Sequence, residues 1–122
     1  MSYIDFEAPD ELKNKTLDFV KKVTDKNGKV RKGMNESTKA IERGIAKIVI
    51  IAGDISPAEI VMHLPKIAQE KKVPYTFVNT KAELGKSAGI TIPCSALAVL
   101  DIPKEAEADL KAIVKDVSAL RK

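Results

Sequence analysis

Ile45-Ala46-Lys47-Ile48-Val49-Ile50-Ile51-Ala52 is a β-branched run interrupted by a single charge, in a chain of 122 residues. An exposed strand alternates polar and apolar residues; a run without alternation is the mark of a strand covered on both faces. Such a strand needs a layer of helices on each side. The stretch therefore predicts a three-layer α/β/α sandwich, and the flanking sequence supplies the layers.

Downstream, Ser56-Pro57-Ala58-Glu59 combines an N-cap, a proline at the first helical position and a glutamate at the third, a capping box. The helix it opens should bend near Pro65 and run through Ala68 to Lys72, before a strand over Pro74–Asn79. Thr80-Lys81-Ala82-Glu83 repeats the capping-box spacing and starts a short helix ending at Gly89. A loop from Ile90 to Ser95 leads to a strand over Ala96–Leu100. Pro103 then opens a last helix with Leu110, Ile113, Val114, Val117 and Leu120 on one stripe.

Upstream, Asn35 to Arg43 reads as a helix with Ala40 and Ile41 inward, closed by Gly44, and Lys29 to Lys32 as a short extended piece. Pro9 starts a long amphipathic helix carrying Leu12, Leu17, Phe19, Val20 and Val23, which stops at Asn27-Gly28. The order αβαβαβαβα predicts a four-stranded, largely parallel or mixed sheet joined by right-handed crossovers, with helices on both faces. No repeat or linker divides the chain, so residues 1–122 are expected to form one domain.

No run of about 18 apolar residues and no signal-peptide pattern is visible, which predicts a cytosolic protein without a membrane span. One cysteine, Cys94, excludes an internal disulfide and a multi-cysteine metal site; with His63 as the sole histidine, no metal or other cofactor is expected. The net charge is +4, but its distribution says more. Between Lys26 and Lys47 stand seven basic residues (Lys26, Lys29, Arg31, Lys32, Lys39, Arg43, Lys47) and two acidic ones (Glu36, Glu42), a local +5 that leaves the other 100 residues at −1. This concentration points to a polyanionic partner.

The basic segment contains Gly33-Met34-Asn35-Glu36-Ser37-Thr38-Lys39. Gly33 can take positive φ or admit a close backbone, and Asn35 is a strong N-cap, so a helix start is expected here, with N–H groups turned toward an anion. Asn35, Lys39 and Arg43 are four apart and share a helical face, with Glu36 beside them. A carboxylate is a poor partner for phosphate, yet it can accept N–H donors from a guanine or cytosine edge. The blander readings are a plain N-cap for Asn35, an ordinary i,i+3 pair for Glu36 and Lys39, and a core or edge histidine for His63. Leu84-Gly85-Lys86-Ser87 has the ending of a phosphate-binding P-loop, which would make a small nucleotide hydrolase. The first glycine that motif needs is absent, and residues 81–84 are helix formers. Cys94 as a nucleophile has only His63 as a possible base.

Arg31-Lys32-Gly33-Met34-Asn35-Glu36-Ser37-Thr38-Lys39, Glu42-Arg43-Gly44, Glu59-Ile60-Val61-Met62-His63-Leu64-Pro65 and Val73-Pro74-Tyr75, in this order and spacing, resemble the kink-turn-binding ribosomal protein family, above all its archaeal members. The resemblance covers nearly the whole chain. It implies an αβα sandwich, monomeric when free, that binds kink-turn and kink-loop RNA without catalysis. It also implies a place in the large ribosomal subunit and in box C/D and H/ACA guide ribonucleoproteins with their core proteins, and association with ribonuclease P RNA. By the same resemblance Asn35 and Glu36 meet tandem sheared G·A pairs, Gly33 allows close backbone approach, and Lys32, Lys39 and Arg43 contact phosphates and base edges. Lys81, Ile60 and the loop residues Ile90, Ile92 and Pro93 then surround a protruded nucleotide, although Ile92 and Pro93 could instead plug the edge of the domain. The sequence departs from eukaryotic relatives: Ile92 stands where some carry arginine, and Ser56 where some carry an acid. Hydrophobic packing and a broader RNA repertoire are expected in consequence. An RNA-independent adaptor domain is the remaining alternative.

Overall fold

A computed structural model describes residues 9–54 and 63–120. Ser56 to Glu59, and with them the first capping box and Ile60, lie outside the described residues, as does the side chain of Leu120. Helix α1 (Asp10–Asp25) is followed by β1 (Val30–Lys32), α2 (Met34–Glu42) and β2 (Ile48–Ala52). Then come α3, seen from His63 to Glu70, β3 (Tyr75–Val78), α4 (Lys81–Ser87) and β4 (Ala96–Val99). A single 3-10 turn (Lys104–Ala106) leads into α5 (Glu107–Leu120). The alternation expected from the sequence is present.

The sheet order is β1-β4-β2-β3. Only β2 and β3 run parallel; β4 is antiparallel to both β1 and β2, so the sheet is mixed rather than largely parallel. The last strand enters between the first two, with Val99 opposite both Val30 and Ile48 and Leu97 opposite both Lys32 and Ile50. Strands β2, β3 and β4 are buried along their whole length, as an unalternating apolar pattern requires. Phe19, Val20 and Val23 of α1, Ala40 and Ile41 of α2, and Ile113 and Val117 of α5 complete the core.

The strand expected from Ile45 begins three residues later, because Ile45 is used to end the preceding helix. Its N–H bonds the Ala40 carbonyl and that of Gly44 bonds Ile41, with Gly44 at φ +71, a Schellman motif. The same two bonds close α1 (Gly28 to Val23, Asn27 to Thr24), α3 (Val73 to Ala68, Lys72 to Gln69) and α4 (Ile90 to Gly85, Gly89 to Lys86). The left-handed residue is a glycine in two of these motifs and Asn27 or Lys72 in the others, so α1 turns on Asn27 and not on Gly28. The capping box at α4 forms as its spacing predicts: the Thr80 hydroxyl accepts the Glu83 N–H at 3.1 Å.

Lys72 holds φ +58, which a side chain with a Cβ tolerates at a cost that glycine avoids. Lys72→Gly should therefore raise stability by about 1 kcal/mol, read as a higher urea midpoint at unchanged slope.

Candidate nucleic-acid interface

The carboxyl ends of β1, β2 and β3 and the amino end of β4 lie at one end of the sheet. Four connections meet there. Gly33, directly after β1, donates its N–H to the Ala96 carbonyl at 2.8 Å, and its own carbonyl receives the N–H of Ser37. Its φ of +102° is open to glycine and strained for other residues, and a Cβ placed on it would meet nothing within 4 Å. Glycine is required here by the backbone, and the space above it is open.

Because the Gly33 carbonyl accepts the first helical bond, α2 starts at Met34 and Gly33 is its N-cap. Asn35 does not cap the helix as expected. It sits in the first turn with its amide exposed, and no side chain caps the helix. Ser37, Ala40 and Ile41 are buried, whereas Asn35, Glu36, Lys39 and Arg43 are exposed on the opposite side. Among the described residues none of these four side chains makes a hydrogen bond or ion pair, so the Glu36–Lys39 pair is not formed. Thr38 turns back instead: its hydroxyl donates to the Met34 carbonyl, which leaves the Nε2–H of half-buried His63, 2.9 Å away, to donate to the Thr38 oxygen. His63 is thus an edge histidine that ties α3 to α2.

The other three connections come later in the chain. The Asp54 carboxylate, just after β2, accepts the Lys81 backbone N–H at 2.8 Å and holds the start of α4 against this end of the sheet. From α4 the loop of residues 90–95 runs back along the helix, with the Cys94 N–H on the Lys81 carbonyl at 2.9 Å. Ile90 is half-buried against the core, but Ile92 is 66 % exposed and Pro93 is exposed too, so these two do not plug the domain edge. Ala82, Lys86, Ile90, Thr91, Ile92 and Pro93 line a groove of about 400 Å³. The sequence reading treated Lys86 only as part of a P-loop ending. Its signal was its position one turn after Ala82 on the helix that the loop covers. Gly85-Lys86-Ser87 belongs to helix α4, and Gly85 lies buried beneath the loop, an arrangement in which no phosphate cradle exists.

Cys94 joins the two halves of the site. Its buried thiol donates to the Ala96 carbonyl at 3.0 Å, the same oxygen that Gly33 uses. Burial pushes the thiol above its ordinary range, against weaker opposing effects from the Gly33 and Ala96 backbone and the Lys32 charge, so it stays protonated and is no nucleophile. A larger concavity of about 690 Å³ flanks β1 and carries Lys29, Arg31 and Lys32 on one wall. Its other wall holds Asp25, Ala88 and Gly89, where the carbonyl ends of α1 and α4 oppose an anion. The exposed cations at Lys32, Lys39, Arg43, Lys81 and Lys86, with Glu36 among them, make the better nucleic-acid face.

Two comparisons with known proteins bear on this face. Residues 15–108 match the family described as "Ribosomal protein L7Ae/L30e/S12e/Gadd45 family". The solved structure titled "Giardia lamblia 15.5kD RNA binding protein" superposes with a TM-score of 0.85 at 34% sequence identity, covering 93% of this chain and 92% of that one.

Beneath the face, the Ser37 hydroxyl is fully buried without a hydrogen bond among the described residues. Ser37→Ala removes that orphan and improves helix propensity. It should raise stability by about 1 kcal/mol in chemical denaturation while leaving the exposed side of α2 unchanged.

Proposed function

Since this chain belongs to the ribosomal protein L7Ae/L30e/S12e/Gadd45 family, we propose that it is a non-catalytic RNA-binding protein that recognises kink-turn and kink-loop RNA. The observation that carries the proposal is the exposed side of α2. Asn35, Glu36, Lys39 and Arg43 stand in a row with no partner among the described residues, over a glycine turn that leaves room for a second backbone. Side chains kept free of their neighbours can give every donor and acceptor to a ligand. A mixed set of amide, carboxylate and cations suits base edges together with phosphates rather than phosphates alone. The 34% identical Giardia protein, titled an RNA-binding protein, supports the same reading.

In this proposal Asn35 and Glu36 read the sheared G·A pairs of the kink, the RNA backbone passes over Gly33, and Lys32, Lys39 and Arg43 neutralise phosphates. Ile90, Ile92 and Pro93, with Lys81, Lys86 and Ile60, receive the unstacked nucleotide. The bent RNA is then presented to the large ribosomal subunit, to box C/D and H/ACA guide ribonucleoproteins, and to ribonuclease P. The protein acts as a monomer, in the cytoplasm, and without a cofactor. No helix among the described residues is long and apolar enough to cross a membrane.

Glu36→Ala should weaken kink-turn binding by about 1 to 3 kcal/mol in a gel-shift titration while leaving the melting temperature within a degree or two, as expected for a lost base contact at an exposed position. Wild-type affinity in that variant would remove the base-reading role. Affinity for a kink-turn should also fall steeply as salt rises, because phosphates are neutralised on binding. A flat salt response, or equal binding to straight duplex RNA, would favour an RNA-independent adaptor.

A further inference from the structure

Gly85 lies within α4, buried and with no positive φ to explain a glycine there. A glycine inside a helix is less favourable than alanine by about 1 kcal/mol, so its presence calls for a local reason. The reason is contact. A Cβ built on Gly85 would stand 2.2 Å from the Ile92 carbonyl oxygen and 3.3 Å from both the Ile92 carbonyl carbon and the Cys94 nitrogen. These are backbone atoms, which cannot swing aside as the tip of a side chain can.

The loop over Gly85 is held at both ends of this contact. At one end the Ile90 N–H bonds the Gly85 carbonyl at 3.1 Å, and at the other the Cys94 N–H bonds the Lys81 carbonyl at 2.9 Å. Between them the Ile92 carbonyl lies against Gly85, and the Ile92 side chain is left 66 % exposed at the groove that Lys86 and Ala82 share. An isoleucine that shows two-thirds of its surface while its own carbonyl presses on a helix is held in that position and is not merely a residue of a free loop.

We propose that Gly85 is a positioning residue for RNA selectivity. Because it lacks a side chain, the loop sits directly on α4, which holds Ile92 and Pro93 as a rigid apolar platform for an unstacked base. This rests on the kink-turn reading above and adds to it a residue that touches no RNA. A Cβ at position 85 lifts the strap, and Ile92 with it, off α4. The platform then loses its register with the α2 side chains, while phosphate and base contacts on α2 persist.

The test measures binding of wild type, Gly85→Ala and Ile92→Ala to a kink-turn RNA carrying its unstacked nucleotide and to the same RNA with an abasic site there. Wild type should lose at least about fivefold in affinity on the abasic RNA, the smaller end of what stacking one base contributes. Both variants should bind the intact RNA more weakly by a similar factor and should no longer distinguish it from the abasic one. Amide exchange at Ile90 and Cys94 should quicken in Gly85→Ala but not in Ile92→Ala, which separates the lifted strap from the trimmed platform. If Gly85→Ala does not fold, one glycine inserted between Thr91 and Ile92 loosens the strap without touching α4 and should show the same loss of discrimination. A folded Gly85→Ala or insertion chain that keeps wild-type discrimination overturns the proposal. So does wild type that binds kinked over duplex RNA yet ignores the abasic site, and that outcome leaves the kink-turn reading standing. Wild type with no preference for kinked RNA overturns both.

Discussion

The constraint on which the rest depends is the insertion of β4 between β1 and β2. Two antiparallel pairings meet on this one strand, and they bring its start, from Ser95 and Ala96, to the end of β1 and the end of β2. The Ala52 N–H reaches the Ser95 carbonyl at 2.9 Å and the Gly33 N–H reaches that of Ala96 at 2.8 Å. Segments far apart in the chain, residue 33 with 96 and residue 52 with 95, are thereby fixed within one hydrogen bond of each other. Antiparallel pairing at both edges of β4 makes the register strict, since a slip of one residue would turn every side chain to the opposite face. A fully buried strand also has no polar face to conceal an error. The geometry of the site is thus a consequence of sheet register rather than of local loop preference.

Much of this was legible in the sequence, and the reasons are local. Apolar runs without alternation, the Thr80–Glu83 capping box and the glycines after α2 and α4 are signals written within a few residues, and each element they predict is present. Strand pairing is not local. Nothing in Ala96–Val99 says that it lies between β1 and β2, so the direction of the sheet could be expected only as largely parallel or mixed. β2 starts later than its apolar pattern suggests because Ile45 ends the preceding helix, with its side chain exposed. Its N–H belongs to the Schellman motif of α2.

At the site the same division holds. The shared exposed side of Asn35, Lys39 and Arg43 follows from helical spacing alone, and the structure keeps it. Asn35 has the chemistry of a cap in the wrong place: Gly33 at φ +102 and ψ +161 offers its carbonyl to the first helical bond two residues earlier than a cap at position 35 would. A Gly-Lys-Ser string is informative about nucleotide binding only with its loop, and residues 81–84 already read as helix formers. That Gly85 is a seat for residues 91–93 depends on a tertiary contact to a segment whose path no spacing rule foretells.

The two glycines then divide the physical work of the interface in opposite ways. Gly33 is needed for its dihedral angles, with open space where its side chain would be, and Gly85 is needed for its missing side chain, at dihedral angles any residue adopts. The first keeps a surface clear for a ligand's backbone, and the second keeps a loop of this chain close. Cys94 lies between them, its thiol on the carbonyl that Gly33 uses and its N–H on the carbonyl of the first residue of α4. Cys94 and Gly33 thus share one acceptor, the Ala96 carbonyl. The base of the apolar loop and the turn that opens α2 are anchored on the same strand. That is what a ligand bent sharply between two contact points would demand of a protein that does not itself bend.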